Sequence, residues 1–137
     1  MRQDAKANFN HWTLLQDRLS FVGHLEFRVV TGSMEPLIPT DAFITVTKPM
    51  FPLKKFDIAV FWNGTILICH YIRHVNDLPA LDGQRVYITR GLGSKTDDLP
   101  VKENEILGIV DGYALSKIQK LYLGLRHVFS YYFLRKK

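Results

Sequence analysis

Asp57-Ile58-Ala59-Val60-Phe61-Trp62-Asn63-Gly64-Thr65-Ile66-Leu67-Ile68-Cys69-His70-Tyr71-Ile72-Arg73-His74-Val75 is the stretch that decides the fold. Two runs rich in β-branched and aromatic residues flank Asn63-Gly64, the strongest short-range signal for a β-hairpin. The reading predicts strands over Asp57–Trp62 and Thr65–Val75. Outward from this hairpin, Gly and Pro punctuate further runs of the same kind: Glu26–Thr31, Ala42–Thr47, Arg85–Thr89 and Glu105–Val110. Upstream, Phe9, Trp12, Leu15, Leu19 and Val22 recur at spacings of three and four. That rhythm predicts an amphipathic helix over about residues 6–22, with Gly23 at its end. From Lys117 to about residue 134 the pattern is helical again. The expected fold is mainly β (α+β). One domain spans 1–137, with a β-rich core over about 26–112 between an N-terminal amphipathic helix and a C-terminal basic helix.

Composition narrows the function classes. The chain has 137 residues, 47% of them hydrophobic and 23% charged, which suits one globular domain rather than disorder or fibre. A domain of this length buries roughly two-thirds of its unfolded surface and needs no covalent or metal staple. Cys69 is the single cysteine, so no internal disulfide forms, in keeping with a reducing compartment. His70 and His74 are four apart, but on a strand and without the glutamate of a zincin helix, so no metal or other cofactor is expected.

The net charge is +5, and much of the excess lies at the end. Lys117, Lys120, Arg126, Arg135, Lys136 and Lys137 have no Asp or Glu among them and alternate with Leu121, Leu125, Val128, Phe129, Tyr132 and Phe133. Such a helix either docks on the domain with a solvated basic face or rests on an anionic membrane through residues 117–137. No recognition motif points to nucleic acid. No run approaches the ~18 apolar residues of a spanning helix, and the first residues lack the apolar core and cleavage site of a secretory signal. The expectation is a cytoplasmic or peripherally membrane-associated protein.

The segment with chemical promise is Thr31-Gly32-Ser33-Met34-Glu35-Pro36. A serine after glycine, at the end of a strand and followed by proline, sits exposed on a sharp turn whose N–H groups can face a developing oxyanion. By itself a turn serine is usually only that. His70 taken alone reads as a core histidine, and Asp97-Asp98 as a solvated loop pair.

Three segments together resemble the type I signal peptidase family and its relatives, the LexA-like self-cleaving repressors. Gly32-Ser33-Met34-Glu35-Pro36 with Ile38-Pro39-Thr40-Asp41 is similar to the family's nucleophile box. Phe56–Phe61 is similar to its second conserved strand, and Ile88-Thr89-Arg90-Gly91 through Gly108-Ile109-Val110 to its closing segment. The likeness covers about residues 26–112. It implies a signal peptidase-like β-rich catalytic domain and a serine endopeptidase that removes a leader or signal segment from a precursor polypeptide.

The resemblance also implies roles. Bacterial members carry a lysine base on the strand after the hairpin; the endoplasmic-reticulum and archaeal branch has histidine there. Thr65–Val75 contains no lysine, so His70 matches as general base, with His74 as the alternate. Thr89-Arg90-Gly91-Leu92-Gly93-Ser94-Lys95-Thr96-Asp97-Asp98 is similar to the motif whose final aspartate is the third catalytic residue, which falls on Asp98 with Asp97 as alternate. Thr31, two before the nucleophile, would complete an oxyanion hole with the Ser33 N–H. Leu92 and Tyr71 depart from the pattern, where the family has Asp and Arg.

The chemistry favours this set, because a histidine near its ordinary pKa needs little adjustment to serve as a base at neutral pH. Two other functions stay open: a peptide-binding relative without activity, for which Leu92 argues, and a self-cleaving repressor. About thirty residues precede Ser33, too few for a DNA-binding domain with its linker, and the chain has no Ala-Gly or Cys-Gly pair.

Overall fold

The computed structural model describes residues 2–76 and 83–135. The elements are α1 (Arg2–Val22), β1 (His24–Arg28), β2 (Phe43–Thr47), β3 (Ile58–Trp62), β4 (Leu67–Asn76), β5 (Val86–Arg90), β6 (Val101–Lys102), a 3-10 turn at Glu103–Glu105, β7 (Ile106–Asp111) and α2 (Lys117–Arg135). The strands form one antiparallel sheet of seven, in the order β1-β2-β7-β3-β4-β5-β6. The chain is therefore mainly β with two terminal helices, as the periodicities predict. Lys136 and Lys137 of the basic run lie outside the described residues.

Strand boundaries differ from the sequence reading for local reasons. The β3–β4 hairpin pairs Trp62 with Leu67, so its loop holds four residues rather than two. Asn63 Oδ1 accepts the N–H groups of Thr65 at 2.9 Å and Ile66 at 2.8 Å, folding both into the turn. At the other end, Gly23 has φ 90° and its N–H closes on the Leu19 carbonyl at 2.8 Å. That helix stop leads straight into β1 at His24, two residues earlier than Glu26. β6 was not anticipated; two residues are too few for a periodicity to register.

β3 sits inside the sheet, and Ile58, Ala59, Val60 and Phe61 are all buried. Ile58 and Val60 join a cluster with Trp12 and Leu19 of α1, Met34, Ile38 and Leu123 of α2. Ala59 and Phe61 join Leu53, Ile72, Tyr87, Val101 and Ile106 on the other face. Covered faces on both sides explain why β3 reads as a continuous apolar run rather than an alternation. Trp12 stacks on Trp62 at 5.8 Å between ring centroids, which fixes α1 over the first cluster.

The β2–β7 contact is unusually close. A Cβ added at Gly108 would stand 2.2 Å from the Thr47 carbonyl oxygen and 2.7 Å from Val46 Cγ1. Backbone cannot yield by that much without separating the strands. Gly108→Ala should therefore lose about 2–3 kcal/mol or more of stability, read as a fall in the urea midpoint; an unchanged midpoint would contradict this packing.

Candidate active site

Ser33 stands on a turn pinned from below. Met34 and Ile38 are fully buried in the first cluster, and the Ile38 N–H bonds to the Met34 carbonyl at 2.9 Å. Above them the Glu35 carboxylate accepts the Thr40 hydroxyl at 2.7 Å and its N–H at 3.1 Å. These two hydrogen bonds hold the Glu35 carboxyl below the usual carboxylate range. Between the anchors Ser33 stays partly exposed, its Oγ 3.2 Å from the hydroxyl of exposed Thr31.

His70 lies in β4 opposite Ala59, in a T-shaped arrangement with the Phe61 ring at 6.2 Å between centroids. Its Nδ1 is 2.5 Å from Asp98 Oδ2. The same carboxylate oxygen accepts the Thr89 hydroxyl at 2.7 Å, and the Asp98 N–H closes on the Thr89 carbonyl at 2.9 Å. Burial alone would raise the Asp98 carboxyl. The hydrogen bonds from His70 and Thr89, with the positive charge of nearby Arg90, outweigh burial and leave it below the ordinary value. Asp98 is thus an ionised acceptor. An accepting carboxylate places the imidazole proton on Nδ1 and leaves Nε2 free to take one.

Gly91 shows how Ser33 and His70 face each other. A Cβ there would lie 3.1 Å from His70 Nε2, 3.0 Å from the Ser33 carbonyl oxygen and 3.4 Å from Ser33 Cβ. Both residues therefore border one small space, open because residue 91 has no side chain. Ser33, His70 and Asp98, far apart in the chain, are brought together here, with Thr31 beside Ser33.

The alternates are placed elsewhere. Asp97 Oδ1 accepts Arg73 Nε at 2.6 Å and Arg90 Nε at 2.8 Å, so this carboxylate is committed to two guanidinium groups. The alternation that would put His74 on the face of His70 fails at a bulge. Ile72 pairs with Thr89 but His74 pairs with Ile88, leaving Arg73 as the extra residue. One extra residue turns every later side chain to the other face, and His74 ends exposed. Cys69 faces away from His70 into the first cluster, and burial pushes its thiol up to about 12.

Leu92 and Tyr71, where the family pattern has other residues, have packing roles. Leu92 lies against the first cluster, and its carbonyl accepts Arg126 Nη1 from α2 at 3.2 Å. Tyr71 is fully buried and shares a 2.9 Å hydrogen bond with His127 Nε2. Burial, with nearby Arg90, Arg73 and Lys55, lowers the His127 pKa to about 4. Thr89 and Gly91 belong to the same segment as Asp98, yet their residue types alone assign neither a role. The signal for both is their place at the end of a strand, where the loop to the paired aspartates begins. Arg126 and His127 carried none.

Comparison of the chain with known protein families and with curated proteins finds no match. Among the described residues no helix is long and apolar enough to cross a membrane.

Proposed function

We propose that this chain is a serine endopeptidase of the signal peptidase kind, cleaving a leader or signal segment from a precursor polypeptide. The observation that carries the reading is the shared space at Gly91: His70 is clamped by Asp98 through Nδ1 while its Nε2 borders the same gap as Ser33. Ser33 Oγ attacks the scissile carbonyl as His70 Nε2 takes its proton, and ionised Asp98 stabilises the resulting imidazolium. The Ser33 N–H and the Thr31 hydroxyl receive the oxyanion. His70 then gives its proton to the departing amine, leaving an acyl group on Ser33 that water removes. The substrate class rests on the likeness of Gly32–Asp41 and Thr89–Asp98 to the family's boxes.

A second reading, a peptide-binding relative without turnover, draws support from the Ser33 hydroxyl, which pairs with Thr31 rather than His70. Without substrate, catalytic hydrogen bonds are often long, so this contact does not exclude catalysis. A fluorophosphonate probe separates the two readings. The peptidase reading expects a single covalent adduct, mapped to Ser33 by peptide mass and absent from His70→Ala. Leader-peptide binding with no adduct on the unaltered protein would favour the second reading and overturn the first.

A further inference from the structure

α2 has two unlike faces. On the inner one, Leu123 is buried in the first cluster, His127 meets Tyr71, and Arg126 reaches the Leu92 carbonyl. Lys120 lies over the Phe56 ring at 5.9 Å, beside Lys55 at 5.1 Å. On the outer face Ile118, Leu121, Tyr122, Leu125 and Val128 are between 53% and 81% exposed. Their spacings of three and four place them in one stripe along the helix. Docking on the domain and contact with a membrane are not exclusive for this helix. A helix docked by one face with an apolar stripe on the other accommodates both.

The surrounding charge indicates what covers the stripe. Lys117, which flanks the stripe at its first turn, is exposed, and so are Lys120 on the side towards Phe56 and Lys54 and Lys55 on the β2–β3 connection, where Asp57 is half-buried. No Asp or Glu occurs from Lys117 to the end of the chain. A second copy laid on this stripe would bring two basic helices together with no acidic partner on either. An anionic bilayer meets both requirements, taking apolar side chains below its headgroups and lysines among them.

We propose that the outer face of α2 is a docking surface for a bilayer rich in anionic lipid. Arg126 ties this helix to Leu92, in the loop that carries Gly91 and Asp98, so a docked α2 holds the candidate site close to the membrane. The inference stands apart from the peptidase reading, because binding is measured without turnover.

The test is co-sedimentation of the full chain with phosphatidylcholine vesicles and with vesicles in which about a third of the lipid is phosphatidylglycerol. The bound fraction should rise several-fold with the anionic lipid and fall again in about 0.5 M salt. Leu121→Glu with Leu125→Glu should weaken binding about tenfold or more while leaving the melting temperature unchanged, since both side chains are exposed. Lys117→Glu, which keeps the stripe, should reduce only the anionic-lipid component. Equal binding to both vesicle types, or no binding by the unaltered chain, overturns the proposal. So does a concentration-dependent dimer that the Leu121 and Leu125 changes abolish, which would assign the stripe to a second copy.

Discussion

Ser33→Ala should lower kcat on a leader-peptide substrate by about 10⁶-fold, and His70→Ala by a comparable factor. The two act as one unit in the proposed reaction. The hydroxyl is a poor nucleophile until its proton has somewhere to go, and Nε2 has nothing to accept once the hydroxyl is absent. The double variant should therefore be no slower than either single one. Residual turnover of about 10³–10⁴ over water should persist in all three, from oxyanion stabilisation and substrate binding. Steady-state kinetics on the three variants would establish this, with circular dichroism confirming that each is folded. The fold check matters most for His70→Ala, which removes a partner from the ionised Asp98. Turnover by Ser33→Ala equal to that of the unaltered protein would remove Ser33 as nucleophile, and additive losses would mean that the two residues act separately.

Gly91→Val should cost about 10²-fold or more in kcat/KM and lower the melting temperature by several degrees while the protein stays folded. Its backbone is not in the left-handed region, so a larger side chain is compatible with the local chain path. The obstacle is the space itself. The first carbon would meet the Ser33 carbonyl oxygen at 3.0 Å and His70 Nε2 at 3.1 Å, and the two methyl groups would occupy what remains of the gap. Ser33 is then pushed from His70 by a distance that proton transfer does not tolerate. Labelling by the fluorophosphonate probe should slow in parallel with cleavage, because both need the same approach. Full activity in Gly91→Val would mean that the reacting atoms meet elsewhere.

Much of this arrangement was legible in the sequence, and the parts that were not have physical causes. Every strand except β6 announced itself, because the apolar runs end at or near Gly, Pro and Asn. The two helices did so because Trp12, Leu15 and Leu19, and Leu121, Leu125 and Val128, keep helical spacing. Ser33, His70 and Asp98 followed from the likeness of short segments, not from periodicity. A strict alternation through β4 would put His74 on the face of His70; the bulge that prevents it coincides with the break in alternation at Arg73-His74, which sequence alone does not distinguish from an exposed strand end. The choice between Asp97 and Asp98 was equally hidden. Adjacent aspartates in a loop are equivalent until the positions of Arg73, Arg90 and Thr89 are known. The role of Gly91 needed three dimensions, since it consists of what would collide with a side chain that is not there.

The paired aspartates divide two duties between neighbours, one neutralising a pair of guanidinium groups and the other steadying an imidazole. Their assignment depends on the length of chain from Gly91 to Asp97, which leaves β5 and is closed by the Asp98 N–H on the Thr89 carbonyl. That loop works as a ruler. Lengthening it by one residue would offer the histidine Asp97 in place of Asp98 and strand the arginines without a counter-ion, whereas shortening it would leave the histidine facing Leu99. The Ser94 hydroxyl helps to keep that length, donating to the Thr96 carbonyl at 2.9 Å and accepting the Thr96 N–H at 3.2 Å.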